Sequence, residues 1–280
     1  MTSTVDAGSA APPVPAEPAA PPVPAVPVGS GQRALREVLS GAQPLRVHLQ
    51  PVVELSTGAI WGVEALARFP GHPQPGPAEW FDAALRDGRG PELEALALQG
   101  ALEVLPLLPA GLRLTVNLSA QALLTRGVQR QLHAAADPRL LIELTEHESV
   151  ADYPALLDVL GTLRERGIGL GIDDFGAGHS SWRHVLHLAP DVLKLDLSLV
   201  QGVELSRQRQ SLVAAMVAYC LGTDTVLVAE GVEEAGDLAE LLRLGVAHAQ
   251  GWFLARPAEP AVVLPVLGRG DLHPAVLVLH

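Results

Sequence analysis

Residues 168–176 read Ile-Gly-Leu-Gly-Ile-Asp-Asp-Phe-Gly, a short apolar run that ends in two adjacent carboxylates. An apolar run bounded by glycine predicts a strand buried on both faces, as in a parallel sheet. Asp173 and Asp174 would then project into the site that the sheet builds, and adjacent anions repel each other unless a cation holds them together. The pattern indicates a metal site. The alternative is an Asp-Phe-Gly turn that caps the following helix.

Strand-like apolar runs alternate with helix-length amphipathic segments along most of the chain. The predicted strands are 45–55, 59–69, 112–118, 140–144, 168–173, 192–197, 225–229 and 247–254, and helices such as 93–108, 153–166, 208–221 and 235–244 separate the later ones. The first two strands are joined by Ser56-Thr57-Gly58, which is too short for a helical crossover, so they are predicted to form an antiparallel hairpin. This number of strands in this length favours an α/β barrel over an open doubly wound sheet.

Composition is consistent with one barrel domain and argues against a disulfide-stabilised, membrane-spanning or nucleic-acid-binding protein. The chain has 280 residues, 48% of them hydrophobic, which is enough for one large core or two small ones, and one barrel domain is the simpler interpretation. Cys220 is the single cysteine, which excludes an internal disulfide and predicts a reducing compartment. With no signal-peptide pattern and no long apolar span, we expect a cytoplasmic protein without a membrane partner. The net charge of -12 argues against binding to a nucleic acid polymer.

The N-terminal segment differs in composition from the rest of the chain. Residues 7–30 are dominated by Ala, Pro and Val, and their prolines interrupt helices and sheet ladders. We therefore predict a disordered arm over residues 1–30 and a barrel domain over residues 31–280. The arm contains Pro-x-x-Pro spacings, but a linker is the favoured interpretation over a docking ligand. Such a segment cannot bury enough apolar surface to offset its ordering entropy, so the barrel should not need it.

Polar residues lie in or directly after seven of the eight predicted strands, most of them towards the C-terminal end. They are Glu64, Asn117, Glu143, Asp173 with Asp174, Lys194, Glu230 and Gln250. The C-terminal strand ends of a barrel converge on one face, where the chemistry is built. One such residue would more often be a satisfied core group than a functional one. A polar residue on so many strands requires a common explanation.

The donor types predict which ion this face would hold. Hard oxygen donors without Cys or His select Mg²⁺ or Mn²⁺ over Zn²⁺, and the candidate ligands are Glu64, Asn117, Glu143, Asp173, Asp174 and Glu230. Five carboxylates exceed the charge of one divalent ion, and a pair of ions would balance them better. Paired metals suit phosphodiester hydrolysis.

Two cationic residues are placed to assist such chemistry. Lys194 stands between Leu193 and Leu195, which is unusual for a buried strand, and it could orient a water or support developing charge. The alternative is a side chain that reaches solvent from an edge strand. Arg68 lies on the same side of its strand as Glu64, where it would bind a substrate phosphate.

The chain resembles the EAL-domain cyclic-di-GMP phosphodiesterases, a family of bacterial signalling enzymes. The matching segments run in family order from about residue 45 to residue 257. They include Glu64-Ala65-Leu66-Ala67-Arg68, Asp173-Asp174-Phe175-Gly176, Lys194-Leu195-Asp196, Ala229-Glu230-Gly231-Val232-Glu233 and Gln250-Gly251-Trp252. The resemblance implies a modified TIM (β/α)₈ barrel with an antiparallel first strand. It also implies hydrolysis of cyclic di-GMP to linear pGpG with two Mg²⁺ or Mn²⁺ ions, and it suggests a homodimer.

Residue roles follow from the same resemblance. Glu64, Asn117, Glu143 and Asp173 look like ligands of one metal, while Asp173, Asp174 and Glu230 serve the second metal directly or through water. Lys194 resembles the family's water-activating lysine, and Glu233 resembles the acid that steadies the loop after the fifth strand. Gln50, Arg68 and Gln250 match substrate-contacting positions.

The chain also departs from the family pattern. The aromatic-proline stretch is reduced to Pro77-Ala78-Glu79-Trp80-Phe81, so part of the substrate rim should differ. Ala177, His179 and Leu197 stand where Thr, Tyr and Arg are common.

Two other functions stay open from the sequence. A catalytically weak relative would act as a cyclic-di-GMP receptor or interaction scaffold. Loss of a metal-ligand position would favour this function, and the chain keeps all of them. A metal-dependent phosphodiesterase for another substrate would need the same ligands. Residues that contact guanine would distinguish a cyclic-di-GMP enzyme from a phosphodiesterase for another substrate, and the sequence does not show which residues these are.

Overall fold

A closed barrel of eight strands forms the centre of the computed structural model, which describes residues 28–69, 76–144, 152–176 and 182–267. The strands are β1 (Arg46–Glu54), β2 (Ile60–Arg68), β3 (Arg113–Leu118), β4 (Leu140–Leu144), β5 (Gly169–Phe175), β6 (Val192–Leu195), β7 (Val226–Ala229) and β8 (His248–Ala249). β1 pairs antiparallel with both β2 and β8, and the other neighbouring pairs are parallel. The predicted barrel with an antiparallel first strand is confirmed.

Helices cover the outside of the barrel. The α-helices are α1 (Val28–Leu39), α2 (Pro77–Arg86), α3 (Gly90–Val104), α4 (Ala120–Leu123), α5 (Arg126–Ala135), α6 (Tyr153–Arg164), α7 (Trp182–Leu188), α8 (Leu197–Val200), α9 (Arg207–Gly222), α10 (Ala235–Leu244) and α11 (Pro260–Leu267). One buried cluster joins most of these helices to the strands. Within the described ranges, no helix combines the length and the apolar character needed to cross a membrane.

The eighth strand is much shorter than predicted. Residues 247–254 were expected to be a strand, but β8 covers only His248–Ala249, and Gln250 follows it instead of lying within it. The chain turns at Gly251, whose carbonyl accepts hydrogen bonds from the backbone N–H groups of Leu254 (3.1 Å) and Ala255 (2.9 Å). An apolar run therefore packs here as a turn and not as an extended strand.

The first helix belongs to the folded part of the chain. α1 begins at Val28, slightly before the predicted boundary at residue 30, and residues 1–27 lie outside the described residues. Leu35 and Val38 of α1 are buried with Trp80 of α2 and Leu93 of α3 in a second, smaller cluster. Phe69 stacks on Trp80, with ring centroids 4.8 Å apart. This cluster buries Trp80 instead of leaving it at the rim of a site.

Deleting the arm and truncating a core side chain of α1 should affect the stability of the barrel differently. Removal of residues 1–27 should leave the thermal midpoint unchanged, because α1 keeps its buried face. Leu35→Ala should lower the free energy of unfolding by about 2–5 kcal/mol, because it opens a cavity at a side chain that is 1% exposed. Thermal unfolding measures the first outcome and chemical denaturation the second, and a large loss of thermal midpoint on arm deletion would show that the arm packs on the barrel.

Candidate active site

The strands place a polar layer directly above an apolar one inside the barrel. Leu141, Val192 and Val228 pack together with Val52 and Trp61 in a small buried cluster. On β4, β6 and β7, the residue two positions after this apolar residue is polar. It also points into the barrel, because side chains alternate between the two faces of a strand. These residues are Glu143 on β4, Lys194 on β6 and Glu230 directly after β7. The sequence alternation thus builds an ionic layer at the C-terminal end of the barrel.

Lys194 lies at the centre of this ionic layer. Its Nζ atom is 2.6 Å from Glu230 Oε1, 2.8 Å from Glu143 Oε2, 3.0 Å from Asp173 Oδ1 and 3.3 Å from Glu64 Oε2. Its side chain is 1% exposed, which contradicts the alternative of a lysine that reaches solvent. Lys194 is also the single lysine of the chain. One buried cation therefore contacts carboxylates from four different strands or strand ends.

Burial and crowding shift the pKa values of this group. Desolvation raises the pKa of Glu143 to about 8; Lys194 opposes the shift, and the neighbouring carboxylates of Glu64 and Asp173 add to it. Desolvation, followed by the charge of Asp173, raises the pKa of Glu230. Burial alone would lower the pKa of Lys194, but the surrounding carboxylates raise it well above its ordinary value. The single positive charge of Lys194 does not neutralise the charges of all these carboxylates.

Amide side chains fix the position of Glu64. Asn117 Nδ2 donates to Glu64 Oε1 (2.6 Å), and Gln250 Nε2 donates to Glu64 Oε2 (2.7 Å). Gln250 Nε2 also donates to Gln50 Oε1 (2.9 Å), and Gln50 Nε2 donates to the carbonyl of Ala255 (3.0 Å). The structure therefore brings both predicted glutamines together with the predicted ligand Glu64.

A backbone irregularity brings Asp173 and Asp174 to one side of β5. Adjacent residues of a regular strand point to opposite faces. Here the β5–β6 register shifts between Ile172 and Phe175, and Asp174 has a left-handed backbone with φ of 52°. As a result, one carboxylate oxygen each from Asp173, Asp174 and Glu230 lie within 4.8 Å of one another.

The donor set fits hard divalent cations. Because a carboxylate accepts hydrogen bonds, Asn117 turns its NH₂ group to Glu64, and its buried Oδ1 has no hydrogen-bond partner in the described part of the chain. A buried orphan oxygen beside carboxylates is a ready cation ligand. Five carboxylates face one lysine, so bound cations would also supply missing positive charge.

Seven of the predicted site residues line one cavity of about 410 Å³, while Glu143, Asp174, Lys194 and Arg68 are not among its lining residues. Gln50, Glu64, Asn117, Asp173, Glu230, Glu233 and Gln250 all line it. Arg68 is half-buried near this end of the barrel but does not line the cavity as the structure describes it. Its Nη1 donates a hydrogen bond to the carbonyl of Ala67 (2.9 Å). Glu233 is exposed, and the loop it was predicted to steady, like Ala177 and His179, falls outside the described residues.

Sequence reasoning gave no role to the six other lining residues, which are Leu66, Leu197, Gln201, Gly231, Gly251 and Trp252. Leu197 was visible as an apolar residue at a position where the family commonly has arginine. Leu66, Gly231, Gly251 and Trp252 belonged to matching segments but received no role. Gln201 gave no usable signal, because nothing local shows that a residue reaches a cavity built by other segments.

A larger cavity of about 680 Å³ lies between α3 and α5, outside the barrel. Its charged groups include Asp137 and Arg139, which pair with each other at 2.8 Å. Side-chain hydrogen bonding to Arg139 lowers the pKa of Asp137. Since this pair satisfies itself, the smaller cavity with its uncompensated acids is the better candidate site.

Comparison with known proteins identifies the family. The model of the EAL domain matches residues 32–257, which is most of the chain. The chain belongs to the EAL domain family. The EAL domain match includes β1 to β8 and the residues that line the 410 Å³ cavity.

Relatives of this EAL domain include named enzymes and solved complexes. The chain is 34% identical over 236 residues to the bifunctional diguanylate cyclase/cyclic di-GMP phosphodiesterase MucR of Pseudomonas aeruginosa, covering 80% of this chain and 34% of MucR. A structure described as the PaMucR phosphodiesterase in complex with c-di-GMP is 31% identical, with a TM-score of 0.73, covering 84% of this chain and 99% of that chain. The manganese/cy-diGMP complex of Klebsiella pneumoniae BlrP1 is 32% identical, with a TM-score of 0.68, covering 77% of this chain and 56% of that chain. The chain thus spans about a third of the curated relative MucR.

Proposed function

We propose that this EAL domain hydrolyses cyclic di-GMP to linear pGpG with the help of two divalent ions, Mg²⁺ or Mn²⁺. The observation that carries the proposal is the convergence of five carboxylates, one amide oxygen and one lysine at one end of the barrel. The names of MucR and of the solved complexes support cyclic di-GMP as the substrate. The predicted homodimer stays a prediction.

The residues of the cavity divide the proposed work between them. Glu64, Asn117, Glu143 and Asp173 would hold one ion, and Asp173, Asp174 and Glu230 the other. Such ions would neutralise phosphate charge and acidify water. Lys194, which already contacts four of the acids, would orient the attacking water and support charge that develops on the phosphate.

Gln50 and Gln250, which lie beside Glu64, would contact the bound substrate. Their amides form a fixed chain from Ala255 to Glu64, so they need little reorganisation when substrate binds.

Product analysis tests the proposed function. The purified full chain is incubated with cyclic di-GMP and Mn²⁺, and the products are separated by chromatography. We expect pGpG to appear with Mn²⁺ and to be absent with excess EDTA. Binding of cyclic di-GMP without any release of pGpG would make the domain a receptor, and the proposal of hydrolysis would be wrong.

Replacing Arg68 should weaken substrate binding more than turnover. If its guanidinium binds a substrate phosphate, Arg68→Ala should raise the Kd by roughly 10- to 150-fold, equivalent to about 1.5–3 kcal/mol for a charge-assisted hydrogen bond. Arg46 is the matched control, because it lies opposite Arg68 in the β1–β2 register and pairs with the exposed Glu259 at 3.2 Å. Arg46→Ala should leave the Kd unchanged in calorimetry. Equal effects of both substitutions would indicate general electrostatic attraction.

Exchange of Ca²⁺ for Mg²⁺ should separate binding from hydrolysis. Ca²⁺ is also an oxygen-seeking ion, but it is larger and accepts looser geometry, so the carboxylates should still bind it. We therefore expect cyclic di-GMP to bind in Ca²⁺ and its hydrolysis to be suppressed. Parallel calorimetry and product assays measure both quantities, and equal hydrolysis rates in the two ions would contradict this mechanism.

A further inference from the structure

Two large apolar side chains lie half-exposed at the rim of the cavity that contains the acidic cluster. Leu197 is 50% exposed and Trp252 is 54% exposed, and both line the cavity that contains Glu64, Asp173 and Glu230. Single exposed apolar residues are common on protein surfaces. A pair at the rim of a charged cavity suits a ligand with an anionic centre and flat, less polar ends.

The backbone that carries Trp252 is fixed. The N–H of Val232 donates to the carbonyl of Gln250 (3.1 Å), and the N–H of Phe253 donates to the carbonyl of Val232 (3.0 Å). Between them, Gly251 packs so closely on Val232 that an added Cβ would lie 2.1 Å from the Val232 carbonyl oxygen. Trp252 therefore projects from a turn that is tied to the loop after β7 on both sides.

The indole ring of Trp252 is oriented by a second contact. The Arg256 guanidinium lies over the ring, with its central carbon 4.4 Å from the ring centroid. A cation over an aromatic face is an attractive arrangement. It covers one face of the indole, so a flat ligand group can stack only on the other face.

Leu197 is held in a similar way on the neighbouring segment. It is the first residue of α8, and Asp196 caps this helix by accepting a hydrogen bond from the N–H of Ser198 (2.9 Å). An added Cβ on Gly231, which has a φ of 65°, would lie 2.6 Å from Leu197 Cβ. Leu197 thus packs against Gly231, next to the Val232 that holds Gly251.

We infer that Trp252, with Leu197 at the same rim, is a stacking surface for a purine base of the substrate. The inference rests on the proposed function, because it needs a nucleotide phosphodiester in the cavity. When a phosphate lies among the acids and their cations, the bases of a cyclic dinucleotide extend away from it, towards the rim. Stacking of a base on an aromatic side chain changes affinity by roughly 5- to 150-fold, as judged from alanine substitution.

Calorimetry of cyclic di-GMP in Ca²⁺ tests this surface, because it measures affinity in an ion in which we expect hydrolysis to be suppressed. Trp252→Ala should raise the Kd by roughly 5- to 150-fold, and Trp252→Phe should restore most of the affinity. Phe253→Ala is the matched control, because Phe253 is adjacent and 41% exposed but is not among the described lining residues. It should leave the Kd within about twofold. All three variants should keep the thermal midpoint, since these side chains are exposed.

The outcomes separate this inference from the proposed function. An unchanged Kd in Trp252→Ala, or an equal loss in Phe253→Ala, would overturn the stacking surface and leave hydrolysis standing. A selective loss in Trp252→Ala without any pGpG from the wild type in Mn²⁺ would support the stacking surface and overturn hydrolysis. A wild type that neither binds nor hydrolyses cyclic di-GMP would overturn both.

Discussion

Asp173→Asn should lower the turnover of cyclic di-GMP by on the order of 10³-fold or more, the largest loss expected from one substitution in this EAL domain. Asp173 is shared by both parts of the site: it contacts Lys194 at 3.0 Å and belongs to the carboxylate cluster with Asp174 and Glu230. The substitution keeps the size of the side chain but removes its negative charge, which both proposed ions need. Steady-state hydrolysis in Mn²⁺ measures the loss. Glu64→Ala should resemble it.

A second readout shows whether the loss comes from the metal site. Because the chain has one lysine, protein labelled with [¹⁵N]lysine gives one backbone amide signal, located at Lys194. Paramagnetic Mn²⁺ should broaden this signal in the wild type at concentrations that leave it sharp in Asp173→Asn. Asp158→Asn, on the exposed face of α6, is the control and should behave like the wild type in both assays. Wild-type turnover in Asp173→Asn would refute a shared role for Asp173.

Lys194→Met should lower the free energy of unfolding by about 3–5 kcal/mol in metal-free buffer, because it leaves buried carboxylates without their counter-ion. The loss should grow as the pH rises. Glu143 already has a pKa raised to about 8, so the folded state holds more protons than the unfolded state between about pH 4.5 and 8, and stability falls across that range. Removing Lys194 removes a charge that opposes this shift. Urea unfolding in EDTA at pH 5 and pH 8 measures the difference.

Two further measurements make the Lys194 prediction specific. Added Mn²⁺ should restore part of the stability lost in Lys194→Met, because a bound cation supplies the missing positive charge. Turnover should fall while the Kd for cyclic di-GMP stays within about tenfold, since the lysine contacts acids and not the predicted substrate-binding glutamines. A pH-independent loss of stability, unaffected by metal, would point to packing of the aliphatic stem instead.

Much of the barrel could be predicted because its signals are local. β4 was predicted at its observed bounds, Leu140–Leu144, and α10 at Ala235–Leu244. The length of the connection at Ser56-Thr57-Gly58 was enough to predict that β1 and β2 are antiparallel. The position of polar residues at or after the C-terminal ends of predicted strands also identified those that meet at one face of the barrel. These features depend on neighbouring residues and on the geometry of single strands, which a sequence displays directly.

Other features depend on contacts between distant segments. β8 stops at Ala249 because Gly251 packs on the backbone of Val232, and nothing within the apolar run 247–254 indicates this contact. Trp80 becomes a core residue because α1 and α3 cover it. Trp252 and Leu197 line a common cavity only because the ends of β6, β7 and β8 converge.

The sequence by itself determined the fold class, the order of the strands and the types of side chain at their ends. Only the tertiary structure decided how those side chains act together. The left-handed backbone at Asp174 turns two adjacent acids to one side, and closure of the barrel places Lys194 within 3.3 Å of acids from four strands or strand ends. The physical reason is that charge interactions depend on distance and burial, and both are set only when remote strands meet.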